Sequence, residues 1–146
     1  MNITEPSFDE SEIAILRECL NSKWVTQGPL TERFEKLIAA KHEVKHALAC
    51  TSCTAALHLA TLALNLGSGD EVIVPAFTWV TSAHSAEYVG AKPVFVDIDL
   101  STFNIAPERL EAAITPRTKA IVAVHLFGLD RKSTRLNSSH RCISYA

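Results

Sequence analysis

The 146 residues read as an α/β chain in which a mainly parallel sheet is flanked by helices. Three observations predict this. Short, near-continuous apolar runs recur along the chain, helical spacings lie between them, and glycine and proline are sparse at 5 and 6 residues. Strands buried on both faces of a parallel sheet carry such runs, whereas strands with one wet face alternate apolar and polar residues. At 47% hydrophobic and 21% charged, the composition is that of a globular chain long enough to bury a core without metal or disulfide support.

Taken in order, Phe8, Ile13, Leu16 and Leu20 fall at helical spacing, with Ser7 as a cap before Asp9 and Glu10, and predict an amphipathic helix over 8–20. Trp24-Val25-Thr26-Gln27-Gly28-Pro29 is a turn signal, after which Leu30, Phe34, Leu37 and Ile38 share one face of a second helix. The period then changes. Residues 47–50, 72–74, 94–96 and 120–124 read as strands, with helices near 54–65, 80–88 and 107–114 between and after them. A sheet wound in this way binds ligands beyond the carboxyl ends of its strands.

A net charge of −2 provides no basic field for nucleic acid or an anionic membrane, so neither is an expected partner. Met1-Asn2-Ile3-Thr4-Glu5-Pro6 lacks the basic start and apolar centre of a signal peptide, and no apolar run approaches the roughly 18 residues of a membrane helix. A cytoplasmic location is the expectation. Four cysteines at irregular spacing, Cys19, Cys50, Cys53 and Cys142, read as reduced thiols rather than a disulfide framework. The six histidines form no spaced metal or nucleophile motif.

Composition breaks after Asp130. Arg131, Lys132, Arg135 and Arg141 are the only charges of the last sixteen residues, so residues 1–130 carry about −6. A solvated basic terminus would account for this. A sharper reading is that Asp130 to His140, Asp-Arg-Lys-Ser-Thr-Arg-Leu-Asn-Ser-Ser-His, matches codon by codon the translation of a common sequencing-adapter oligonucleotide. Its continuation also encodes Ile143-Ser144-Tyr145-Ala146. Residues 1–129 then form the natural part of a domain, and 130–146 a non-native tail to be left out of fold reasoning.

Two stretches could carry chemistry. Cys50-Thr51-Ser52-Cys53-Thr54 lies where the first expected strand meets a helix, so free backbone N–H groups, the helix dipole and two hydroxyls converge as a phosphate seat. It also reads as an ordinary helix cap, and, as a C-x-x-C at a helix start, as the site of a small thiol–disulfide redox protein using Cys50 and Cys53. Trp79, beyond the second expected strand, could stack on a planar heteroaromatic ligand or anchor the core. Neither a glycine-rich P-loop nor a G-x-G-x-x-G is present.

The order of several segments is similar to that of a known family. Thr26-Gln27-Gly28-Pro29, Thr51-Ser52-Cys53-Thr54-Ala55-Ala56-Leu57-His58, Gly69-Asp70-Glu71-Val72-Ile73-Val74-Pro75-Ala76-Phe77-Thr78-Trp79, Pro93-Val94-Phe95-Val96-Asp97-Ile98-Asp99 and Thr115-Pro116-Arg117-Thr118-Lys119 resemble the DegT/DnrJ/EryC1/StrS sugar aminotransferases. These are fold-type I enzymes dependent on pyridoxal 5′-phosphate (PLP), so the resemblance implies an incomplete large domain of that fold. It also implies transfer of an amino group, usually from glutamate, to a keto group of a nucleotide-linked sugar, and a homodimer for the complete enzyme. By position, Ser52, Cys53 and Thr54 correspond to the phosphate-binding residues and Trp79 to the aromatic on the cofactor ring. Thr26, Gln27 and Gly28 correspond to the loop near the sugar nucleotide. Cys53 departs from the small residue usual there, but its N–H remains. The family's Schiff-base lysine has no counterpart in these 146 residues, so no catalytic residue is assigned and the chain alone is expected to be inactive.

Overall fold

The computed structural model describes residues 6–126 and 142–145. They separate into two compact units, residues 1–49 and 50–146.

The first unit holds α1 (Glu10–Ser22) and α2 (Pro29–Lys41). Asp9, not Ser7, caps α1: its carboxylate accepts from Ser11 N at 2.7 Å, while Glu12 Oε2 accepts from Asp9 N at 2.7 Å. An acid three residues before a glutamate closes this reciprocal box, satisfying two end groups at once, which Ser7 is too far upstream to do. Pro29 starts α2 at the first-turn position, where its missing N–H costs nothing. Neither helix buries a residue among the described ones, so the apolar faces bearing Ile13, Leu16, Phe34 and Leu37 lie open.

The second unit contains α3 (Cys53–Ala63), β1 (Glu71–Pro75), α4 (Thr81–Glu87), β2 (Lys92–Val96), α5 (Pro107–Ala113), β3 (Thr118–Val124) and β4 (Cys142–Tyr145). The strand order is β2-β1-β3-β4, all parallel. The crossover through α4 runs one way from β1, and that through α5 runs back past it. Right-handed connections in opposite directions put their helices on opposite faces of the sheet. The core divides accordingly. Val72 and Val74 pack with Ala83, Ala86 and Val122 on one face, and Ile73 packs with Val96, Leu110 and Ile121 on the other. All five β1 residues are buried, which explains why its run is continuous rather than alternating.

One expectation needs correction. The segment 47–50 forms no strand. A strand exists through its ladder, and none of the four strands pairs with this segment; Ala49 N donates instead to Glu35 Oε1 at 2.8 Å, and Leu48 is 85% exposed. Residues 142–145 run parallel to β3 from Ile121↔Cys142 to Val124↔Tyr145. The edge of β3 away from β1 offers backbone groups to which this strand adds. Residues 127–141 and 146, with the remainder of the adapter-like stretch, lie outside the described residues.

Candidate functional site

The start of α3 is built by Ser52. Its backbone is extended (φ −163°, ψ 162°), its Oγ accepts from Ala55 N at 3.1 Å, and its carbonyl accepts from Ala56 N at 3.0 Å. Those two bonds use the third and fourth N–H groups of the helix. The N–H groups of Cys53 and Thr54 are left at the helix mouth with no acceptor among the described residues. Cys53 is exposed and Thr54 half-buried, so two backbone donors lie at the positive end of an 11-residue helix. Ser52 is occupied as the cap of this helix start.

Trp79 lies past the carboxyl end of β1, in the turn leading to α4. Its carbonyl accepts from Ser82 N at 3.0 Å, and Thr78 Oγ1 and Ser82 Oγ are 2.9 Å apart, which ties the turn to the helix. The indole is 76% exposed and available to a planar ligand.

Thr26, Gln27 and Gly28 belong to the first unit, Ser52, Cys53, Thr54 and Trp79 to the second. The first three form a tight turn closed by Trp24, which the sequence places in the turn signal without giving it a role. Trp24 Nε1 donates to Gln27 O at 2.7 Å, and a Cβ on Gly28 would fall inside the contact distance of Trp24 Nε1 and Cδ1. A tryptophan three residues before the Gln-Gly-Pro turn was the available signal.

A second missed cluster lies at the amino end of the sheet. The Glu71 side chain is almost fully buried and accepts from Thr115 Oγ1 at 2.6 Å, Arg117 Nε at 3.0 Å and Arg117 Nη2 at 2.6 Å. The hydroxyl of Thr115 and the Arg117 guanidinium hold its carboxyl below the usual glutamate range. This group clasps β1 to the segment entering β3 and faces away from the ligand end. A shallow cleft of about 400 Å³ near the carboxyl end of β2 is lined by Ala76, Phe95, Asp97 and Arg109, and none of the predicted site residues lines it.

Residues 6–136 match the model of the DegT/DnrJ/EryC1/StrS aminotransferase family. The chain belongs to that family. A GDP-perosamine synthase from Caulobacter vibrioides is 48% identical over 129 residues, covering 88% of this chain and 35% of that protein. A sugar aminotransferase from Streptococcus pneumoniae, solved in PMP and PLP forms, superimposes with a TM-score of 0.84 at 39% identity; the match covers 90% of this chain and 33% and 34% of those structures. A 3-amino-5-hydroxybenzoic acid synthase gives a TM-score of 0.81 at 43% identity over 88% of this chain and 34% of its own. The chain thus spans about a third of the length of these relatives. Family membership places the Cys50–Cys53 stretch within an aminotransferase sequence rather than a thiol-redox one, and no disulfide joins Cys19, Cys50 or Cys53. No helix among the described residues is long and apolar enough to cross a membrane.

Proposed function

We propose that this chain is the amino-terminal part of a PLP-dependent aminotransferase acting on a nucleotide-linked keto sugar, with glutamate as amino donor. The observation that carries this reading is the α3 mouth, where Ser52 caps the helix and leaves Cys53 N–H, Thr54 N–H and the Thr54 hydroxyl for the cofactor phosphate. Trp79 offers its exposed face to the pyridine ring, and Thr26, Gln27 and Gly28 serve the sugar nucleotide. When bound, PLP supplies an electron sink that stabilises the carbanion formed as the amino group is transferred. The protein's part is to bind the phosphate, orient the ring and hold the sugar.

The name of the Caulobacter relative points to a GDP-linked sugar. The Schiff-base lysine belongs to sequence beyond Leu129 in this reading, so residues 1–146 alone are inactive, and the complete enzyme is a cytoplasmic homodimer. Residues 130–146 are adapter translation, although the family match runs to residue 136. Sequencing the source genomic DNA across Leu129 tests this; recovery of the same Arg131–Ala146 codons from independent DNA overturns it.

For the full-length protein, an absorbance band of bound PLP that changes on adding glutamate is the expected result. A full-length product that binds no PLP, or whose band ignores glutamate while other amino donors shift it, overturns the cofactor or the donor assignment respectively.

A further inference from the structure

The geometry points to Trp24 as a positioning residue that sets the shape of the Thr26-Gln27-Gly28 loop and thereby the affinity for the sugar nucleotide; this rests on the substrate role proposed for that loop. Trp24 is fixed at three polar atoms. Its N–H donates to Ser22 Oγ at 3.1 Å, its carbonyl accepts from the Cys19 thiol at 3.4 Å, and its indole N–H donates to Gln27 O at 2.7 Å. Ser22 Oγ in turn donates to Cys19 O at 2.7 Å, and Lys23 turns the chain in the left-handed region at φ 58°, so the end of α1 aims the indole back across the turn.

Gly28 is extended at φ −170°, a conformation open to any residue, so backbone freedom is no reason for glycine here. Space is the reason. The ring lies against the Gly28 α-carbon where a Cβ would go, and Gly28 begins α2, so one contact sets both the turn and the helix start. The indole is nonetheless 56% exposed, which is poor use of a tryptophan as core filler and suits a clamp over a short loop.

The test uses the full-length holoenzyme, with GDP-perosamine as probe and selective ¹⁵N labelling of tryptophan indoles. In the wild type, the Trp24 indole N–H, assigned by its loss in Trp24→Phe, is expected to exchange more slowly than that of Trp79. Trp24→Phe keeps an aromatic side chain but loses the five-membered ring with its N–H, its hydrogen bond to Gln27 O and its contact with Gly28, so it weakens GDP-perosamine binding about five- to tenfold. The PLP absorbance band stays unchanged. Gly28→Ala displaces the indole and weakens binding at least as much, whereas in a Trp24→Ala background the same substitution has no further effect.

An indole N–H of Trp24 that exchanges as fast as that of Trp79 overturns the clamp. Wild-type binding with unaltered affinity in Trp24→Phe and Gly28→Ala overturns its influence on substrate. A wild-type holoenzyme that fails to bind GDP-perosamine instead overturns the substrate reading from which the inference starts.

Discussion

Cys53 and Thr54 separate what a backbone gives from what a side chain gives. If the Cys53 N–H is the donor, Cys53→Ala in the full-length protein leaves PLP affinity within about twofold, because the thiol is not used. Cys53→Pro removes the N–H as well as the thiol, and Cys53→Ala controls for loss of the thiol. Proline suits the first helical position, and Ser52 already has the extended backbone that a residue before proline requires. A charge-assisted bond of roughly 1.5–3 kcal/mol predicts about a ten- to hundredfold loss of PLP affinity in this variant, read by absorbance titration. Equal affinity in Cys53→Ala and Cys53→Pro would refute the assignment. The Ser52 cap was legible in the sequence because Ser before a helical run has a strong local signature. Trp24 was not, because its partner is a backbone carbonyl and the space above a glycine, neither of which leaves a side-chain pattern.

Elements were legible where their stabilising contacts are local or their faces are both buried. The helices 54–65, 80–88 and 107–114 and three of the four expected strands appear within a few residues of their expected limits. Segment 47–50 failed because an apolar run specifies burial, not the neighbour a strand must pair with. The clasp between β1 and the entry to β3 was equally invisible, since Glu71 and Arg117 are far apart in the chain. Glu71 is expected to make stability depend on pH in a defined direction. Its folded carboxyl is held low, so its contribution is fully present above the ordinary glutamate value of about 4.3 and is lost as pH falls through the lower folded value. The melting temperature of the wild type should therefore exceed that of Glu71→Gln near neutrality, with the gap closing toward acid; a gap constant down to strongly acid pH would contradict this. Ser52→Ala should cost α3 about 1 kcal/mol, measurable by chemical denaturation.

At the scale of the molecule, the sheet rests on β1. Ile73 is completely buried between β2, β3 and α5, and Ile73→Ala should cost about 2–5 kcal/mol of unfolding free energy. Beyond that core, apolar side chains on α1 and α2 are exposed, as is Phe95 on the edge strand β2. Residues 1–146 are accordingly expected to self-associate, and removing residues 130–146, which strips β4 from β3, to increase it; velocity sedimentation showing monomers of both at micromolar concentration would count against this. The division into two units was not drawn from the sequence, although charged side chains are denser before residue 49, at 14 of 49, than after it, at 16 of 97. The strand order has one more consequence. The central strand is also the first made, and β2 and β3 emerge later to dock on its two sides. As the ribosome extends the chain by roughly 5–20 residues per second, each new strand meets a template already present, and the sheet can assemble outward in the order of its synthesis.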